Sequence, residues 1–532
     1  MKLNIPKIPE EDTKNPTVNM LVEFSWNCLR VIQELTDQIA ALKDEIAKLK
    51  GQKPRPKLPP SKTADDAKNK CNSNNSANRT INHEKKEKIE RIIKPNYIPE
   101  GSIFKGYEDY SVQDLVIKSQ EIQFRLAIYI APDGSRIRGE LPEGYTLGHF
   151  GTNLIAYCLS QYYQCHVTRP LLLTQLHDMG IDISSAQLSN ILIKNKEAFH
   201  NEKQEVLKAG LENSPFLNTD DTGARHDGKN GYCTSIGSPL FTYFESTESK
   251  SRINFLEILQ GAQKLYAITE EALNYAFEHG IGYKALDLLE NHKNKQFKDK
   301  DAWQTFLKKH KIIVTKDQKI ATEAALLGGA LIIGFNPYTI IISDGAGQFI
   351  LSLHGLCWVH EERHYRKLIP LSKKERLEIE KVRSAIWDYY EDLKEYKKDP
   401  KISNQEALSK RFDNIFGKKY KSTAINELLA HTRSRKEGLL LVLKYPFIPL
   451  HNNDSERDIR EYVKKRKISG STRSNDGRQA RDTFTSLKKT CMKLKICFYD
   501  YLKDRLANIK KIPKLEDLIK QKSNDLSYSL LN

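Results

Sequence analysis

The sequence predicts a multidomain α+β protein, and three observations carry that expectation. The chain has 532 residues, too many for one ordinary hydrophobic core. Its apolar pattern changes along the chain, from a 3.5-residue repeat to alternation, then to helical spacing, then to buried strands divided by helices. A stretch rich in Pro, Lys, Asn and Ser, residues 51–94, separates the first of these from the rest. The expected elements are an N-terminal coiled coil, a small β module, a helix-turn-helix, and an α/β core with helical insertions.

Composition narrows the partners. A net charge of +17 favours polyanions, nucleic acid first. Mean hydropathy is −0.59, and no apolar run reaches the ~18–20 residues of a membrane span. The longest candidate, Ala324 to Phe335, is broken by Gly328-Gly329. Met1 to Pro6 has no apolar signal-peptide core, so a cytoplasmic location is expected. The 8 cysteines are scattered without a Cys-x-x-Cys pair, which argues for reduced thiols and against a cysteine-rich zinc site.

The first element is expected at residues 1–50. Ile32, Leu35, Ile39, Leu42, Ile46 and Leu49 put Ile at a and Leu at d of a heptad, a combination that favours parallel dimers. Residues 51–100 form a basic linker. In the β module, 101–146, Ile122, Phe124, Leu126, Ile128 and Ile130 alternate with Gln123, Arg125, Ala127 and Tyr129, as in a half-buried strand. Pro132-Asp133-Gly134-Ser135 is a turn signal, and Ile137 to Leu141 would return. No function follows for this module. In the helical region, 147–212, Pro170 opens one helix and Gly180 ends it, and Ser184-Ser185-Ala186-Gln187 is a capping box for a second. Leu188, Ile191 and Leu192 of the second helix face inward. Gln187, Ser189, Asn190 and Lys194 face outward, where short polar side chains reach base edges in a major groove.

From Pro215 the pattern becomes α/β. The run Phe216 to Thr219 ends in Asp220-Asp221. Tyr232–Ile236 and Leu240–Phe244 make a hairpin, and Arg252–Leu259 a helix. Tyr338–Ser343 is a buried strand ending at Asp344, and Leu356–His360 reads as another. Asn452-Asn453-Asp454-Ser455-Glu456 enters a closing helix. This order is the ribonuclease H-like topology: a core at 213–370 with a helical insertion at 261–337, a second insertion at 371–450, and a closing helix with a basic C-terminal region at 451–532. Strand-Asp, strand-Asp, helix-Glu is a way to hold divalent metal. Two Mg²⁺ ions roughly 4 Å apart suit phosphodiester chemistry, and carboxylates suit Mg²⁺. Alternation within Phe216–Asp221 does not decide between Asp220 and Asp221. Arg457 and Arg460 flank Glu456, and Glu456 with Arg460 has i,i+4 spacing. Lys464, Lys465, Arg466, Lys467, Arg473 and Arg478 follow as a basic track suited to phosphate.

Asp220-Asp221-Thr222, Ser249-Lys250-Ser251-Arg252, Ser343-Asp344-Gly345, Cys357-Trp358-Val359-His360 and Asn452 to Arg457 with Arg460 together resemble the transposases of the insertion-sequence-66 family. The resemblance covers about Tyr107 to Leu506. It implies a bacterial DDE transposase with a ribonuclease H-like catalytic core, acting on element terminal inverted repeats and target DNA. It places the catalytic metal ligands at Asp220, Asp344 and Glu456, holding Mg²⁺ for which Mn²⁺ can substitute. Asp221, His360, Arg457 and Arg460 become accessory candidates. It also implies a homodimer or higher oligomer through the leucine-zipper-like N-terminus, small accessory proteins from the same element, and a place at the nucleoid. Many members carry a zinc-binding cysteine segment after the coiled coil. Here only Cys71 lies in that region, so no zinc is expected. The rival readings are a related nuclease or integrase, and an inactive DNA-binding regulator. The helix-turn-helix and coiled coil suit paired end binding better than the first, and the intact acids argue against the second.

Overall fold

The computed structural model describes residues 90–142, 145, 148–351 and 353–531, with side chains described as far as residue 524. The Val18–Leu49 heptads and the linker up to residue 89 lie outside the described residues. In chain order the strands and helices begin with a hairpin, β1 (Ile128–Ile130) and β2 (Arg136–Arg138). Helix α1 (Thr152–Leu159) runs into a π turn at Ser160–Gln164. Helices α2 (Arg169–Asp178), α3 (Ser185–Ile193) and α4 (Glu197–Asn213) follow. Then come β3 (Phe216–Gly223), β4 (Tyr232–Gly237), β5 (Thr242–Thr247) and α5 (Arg252–Leu259). A helical excursion holds β6 (Tyr266–Ala267), α6 (Glu270–Glu278), α7 (Tyr283–Asn291), β7 (Gln296–Phe297), α8 (Lys300–Lys309) and α9 (Thr315–Ile333). Next are β8 (Ile340–Ser343), β9 (Leu353–Leu356), α10 (Trp358–Arg366), α11 (Lys373–Lys398), α12 (Ile402–Phe416) and α13 (Thr423–Ser434). The chain closes with α14 (Asn453–Ser469), α15 (Asn475–Leu494), α16 (Phe498–Leu506) and α17 (Leu515–Leu531). The fold is mixed α/β. No helix among the described residues is long and apolar enough to cross a membrane.

The chain divides into two compact units. One holds Ile340–Asn453. The other holds the described residues up to Thr339 together with those from Asp454 onward.

In the larger unit, β3, β4 and β5 form an antiparallel meander. Residues directly opposite on antiparallel strands share a face. Asn218, Asp220 and Thr222 therefore share one face with Gly237, Ser235 and Cys233. That face is covered by α14 and α15, with Ala224, Cys233, Phe244, Ile459 and Tyr462 in one buried cluster. The opposite face meets α4, where Lys203 Nζ reaches Glu245 at 2.6 Å and Gln204 reaches the Tyr243 hydroxyl at 3.2 Å. Helix α15 also covers the open edge of β5. The backbone N–H groups of Thr242, Phe244 and Ser246 donate to Thr490 Oγ1 (3.2 Å), Ser486 Oγ (2.9 Å) and Asp482 Oδ2 (2.8 Å). Four residues of helix rise about 6 Å and two residues of strand about 6.7 Å, so an i,i+4 polar stripe matches every second N–H of an edge strand. In the excursion, a Cβ at Gly328 or Gly329 would stand 2.2 Å from Ala267 O or 1.9 Å from Leu265 O. The glycines that break the apolar run are where α9 touches the β6 backbone.

In the smaller unit, β8 and β9 pair in parallel, Ile340 with Leu353 through Ser343 with Leu356. Trp358 is fully buried among Tyr389, Phe412 and Phe416, and its Nε1 donates to Leu439 O at 3.0 Å.

Two expectations are corrected here. Cys357 to His360 is not a strand: Cys357 caps α10 and the next three residues form its first turn. A short apolar run with an aromatic fits a buried helix start as well as a strand. In the β module, pairing begins only at Ile128, and Ile128, Tyr129, Ile130 and Ile137 are exposed rather than half-buried. Alternation says which residues share a face, not that anything covers it.

Candidate active site

Strand β3 leaves the core at its acids. Phe216 to Thr219 are buried, while Asp220, Asp221 and Thr222 are half-buried. Asp220 lies on the face covered by α14 and α15, and its Oδ1 accepts from the Asp221 N–H at 2.8 Å. Asp221 lies on the other face, where Thr234 Oγ1 donates to its Oδ1 at 2.6 Å. Around Asp220, polar atoms are buried without a hydrogen-bond partner: both amide atoms of Asn218, two residues earlier on the same face, and Oγ of Ser235, directly opposite.

Helix α14 carries Asp454 and Glu456 in its first turn, where the positive end of the helix dipole favours carboxylates. The Ser455 hydroxyl beside them is buried and unpartnered. The ion pair that forms here is Arg457 with Asp454, three residues apart, and Arg460 stays exposed. Further along, Asp458 is clamped by Thr242 Oγ1 (2.7 Å), Lys489 (3.0 Å) and Lys493 (2.5 Å). Arg466 donates to Gly223 O and, at 3.3 Å, to Thr222 Oγ1, which ties the helix to the end of β3.

The basic track is thinner than the sequence implies. Lys465 is buried, its ammonium 3.2 Å from the Tyr162 ring centroid and donating to Tyr162 O. It cannot meet a phosphate there, a correction that follows from its place on the inward face of α14. Lys464 pairs with Glu461 at 2.8 Å. Glu461 also meets His166 at 3.4 Å and Lys488 at 3.1 Å, and these partners, His166 first, hold its carboxyl far below the usual range. Lys467 and Arg473 are exposed and Arg478 is half-buried.

In the smaller unit Asp344 directly follows β8, and the Ala346 N–H donates to its Oδ1 at 3.0 Å. Gly345 has φ +92°, a left-handed conformation that glycine takes without strain. Arg435 reaches the Asp344 carbonyl at 3.4 Å and pairs with buried Glu361 at 2.9 Å. Ser343 Oγ sits 2.7 Å from His354 Nε2. Burial, then Arg435, pushes the His354 imidazole down to about 4, so it is neutral at physiological pH. His360 is half-buried on α10, 2.9 Å from Arg363. Sequence reasoning missed Arg435 and His354. Arg435 lies in a charged run of a helical insertion, with no spacing to mark it.

Of the three acids, Asp220 and Glu456 belong to one unit and Asp344 to the other. Among the described residues no three or more His, Cys, Asp or Glu side chains gather into a metal-binding group.

The helical pair α2–α3 forms with the capping box in place: the Gln187 N–H donates to Ser184 Oγ and the Ser184 N–H to Gln187 Oε1. Leu188 and Leu192 are buried, Gln187, Asn190 and Lys194 exposed, and Ser189 half-buried, 3.5 Å from Arg169. Lys194 pairs with Asp476 at the start of α15.

Residues 328–480, which include Asp344 and Glu456, match the transposase IS66 family. A protein of Sinorhizobium fredii (strain NBRC 101917 / NGR234), described only as uncharacterized protein y4jO, is 40% identical over 304 residues, 57% of this chain and 95% of its own length. The family match supports a transposase-type function. The chain belongs to the IS66 family of transposases.

Proposed function

We propose that this transposase binds the ends of its element and cuts and joins DNA with the triad Asp220, Asp344 and Glu456 on a ribonuclease H-like core. The observation that carries this reading is the face assignment on β3: Asp220 lies toward α14, whose first turn bears Glu456, while Asp221 is engaged by Thr234 on the opposite side.

The family implies a divalent metal, and the residues present fit Mg²⁺, with Mn²⁺ as a substitute. The donors are carboxylate oxygens, and the orphaned polar atoms of Asn218, Ser235 and Ser455 suit the waters that Mg²⁺ retains. When bound, such metal supplies charge neutralisation at the phosphate and activation of the attacking oxygen. The chain does the positioning. Arg435 braces the backbone at Asp344, Arg466 locks α14 to β3, and Asp458 fixes the helix against α15. Lys464, Lys467, Arg473 and Arg478 remain to hold phosphate. Helix α3 reads the ends as the second member of a helix-turn-helix. Asn190 is its best-placed reader, because Gln187 already spends its Oε1 on the cap. Dimerisation through the Ile32–Leu49 heptads would pair two ends.

The test is paired: gel shift for end binding and a denaturing gel for nicking, with Mg²⁺ or Mn²⁺. Asp220→Asn, Asp344→Asn and Glu456→Gln each abolish cleavage and strand transfer while end binding persists. Asp221→Asn retains cleavage. A dead Asp221→Asn with an active Asp220→Asn moves the first ligand by one residue, and cleavage by all three triad variants sinks the mechanism.

A further inference from the structure

More than half of the exposed large apolar side chains among the described residues lie between Ile92 and Leu141, a segment that runs largely without helix or strand around the β1–β2 hairpin. Apolar exposure on this scale marks a surface that is covered in the working protein, and a two-stranded hairpin alone is marginal in water. Charge narrows what covers it. The segment carries six Lys and Arg against seven Asp and Glu, a net of −1 in a chain of +17. Nothing in that balance favours a phosphate backbone.

The hairpin itself points to an occupant. The Ala127 carbonyl accepts from Gly139 N–H and the Ala131 N–H donates to Ser135 O, so the odd-numbered residues of this strand turn their polar groups toward β2. By alternation the N–H and C=O groups of Ile128 and Ile130 face the open edge of β1. An antiparallel copy of the same edge, related by a two-fold axis at Tyr129, sets Ile128 opposite Ile130 at both positions. The open edge of β2 offers no such match, because Arg136 would face Arg138 of the copy, and like charges directly opposite destabilise a sheet. The heptads from Ile32 to Leu49 call for two parallel copies and lie on the same chain just upstream, so two hairpins tethered to one seam meet at high effective concentration.

We propose that β1 is a second interface between two copies of this chain, joined edge to edge into a four-stranded sheet with order β2-β1-β1-β2 and sheltering the apolar segment around it. The pairing is isologous, as a two-fold dimer requires, and reaches the strand number at which a small sheet becomes stable.

The experiment uses the full chain, co-expressed as two differently tagged copies, with the photo-cross-linker p-benzoylphenylalanine in place of Tyr129. Irradiation should join the two tags in one band. Ile128→Pro with Ile130→Pro removes the outward donors while leaving the bonds within the hairpin, and should reduce that band to background. Ile130→Val should keep it. Cross-linking only within one copy, cross-linking to added DNA instead of the second copy, or no cross-link from a chain that light scattering shows to be dimeric each overturns the proposal. None of these readouts requires DNA cleavage.

Discussion

At Lys465 the chain presents four consecutive bases, and the fold takes one of them out of solvent. Burial, with Arg481 and Lys488 nearby, pushes its ammonium down to about 6. An unfolded lysine titrates near 10.4, so between these values the unfolded chain binds more protons than the folded one. Stability therefore rises with pH across that window, by up to about 1.4 kcal/mol per pH unit, and the full penalty applies below the folded value. Lys465→Met removes this dependence. The melting temperature of the variant minus that of the wild type should fall as pH is raised from about 6 to about 9. A difference that does not change with pH means the ammonium stays charged in the fold. The sequence could not reveal this, because a run of bases on a helix has the same spelling whether its inward member is sacrificed or not. The two acids of β3 were similarly undecided. Their strand was legible from an apolar run ending in carboxylates, but which acid faced α14 depended on the pairing with β4.

Helix α15 teaches the same lesson at the level of an element. Its Asp482, Ser486 and Thr490 satisfy the edge of β5 and are buried. Polar side chains at i,i+4 spacing carry no mark of the strand they will meet. Ser486→Ala strands the Phe244 N–H in the core and should cost about 1–3 kcal/mol in chemical denaturation, whereas a change at exposed Gln479 should cost little. A Ser486→Ala protein as stable as its parent would show that water reaches that edge. Other elements were plain from the start: the helices α2 and α3 from their caps, α5 from its spacing, and β8 from a buried run ending at Asp344. The start of α10 was not, because Trp358 gains its burial from α11 and α12, far along the chain.

For the whole molecule, the proposed assembly rests on the heptads and on the β1 edge as two separable contacts. Replacing Leu35 and Leu42 with Lys should cost the dimer in light scattering at low protein concentration, while the thermal transition of the α/β core stays in place. A dimer that persists at every concentration would move the principal interface away from the heptads. The family and the order of the core elements were legible because they depend on local runs and motif spacing. The division into two units was not, because one of them is assembled from segments separated by more than a hundred residues of chain.

That division bears on how a copy comes into being on the ribosome. The edge of β5 is made early, but the side chains that close it lie 236, 242 and 248 residues later. At ordinary elongation rates this interval lasts on the order of tens of seconds. During that time the heptads and the α2–α3 pair have already emerged, and the edge of β5 is still open. A nascent chain, or one cut short before Asp482 by a premature stop, carries the heptads and the α2–α3 pair without the side chains that cover that edge. Translation itself therefore imposes a delay between the making of the sheet and the closing of its edge.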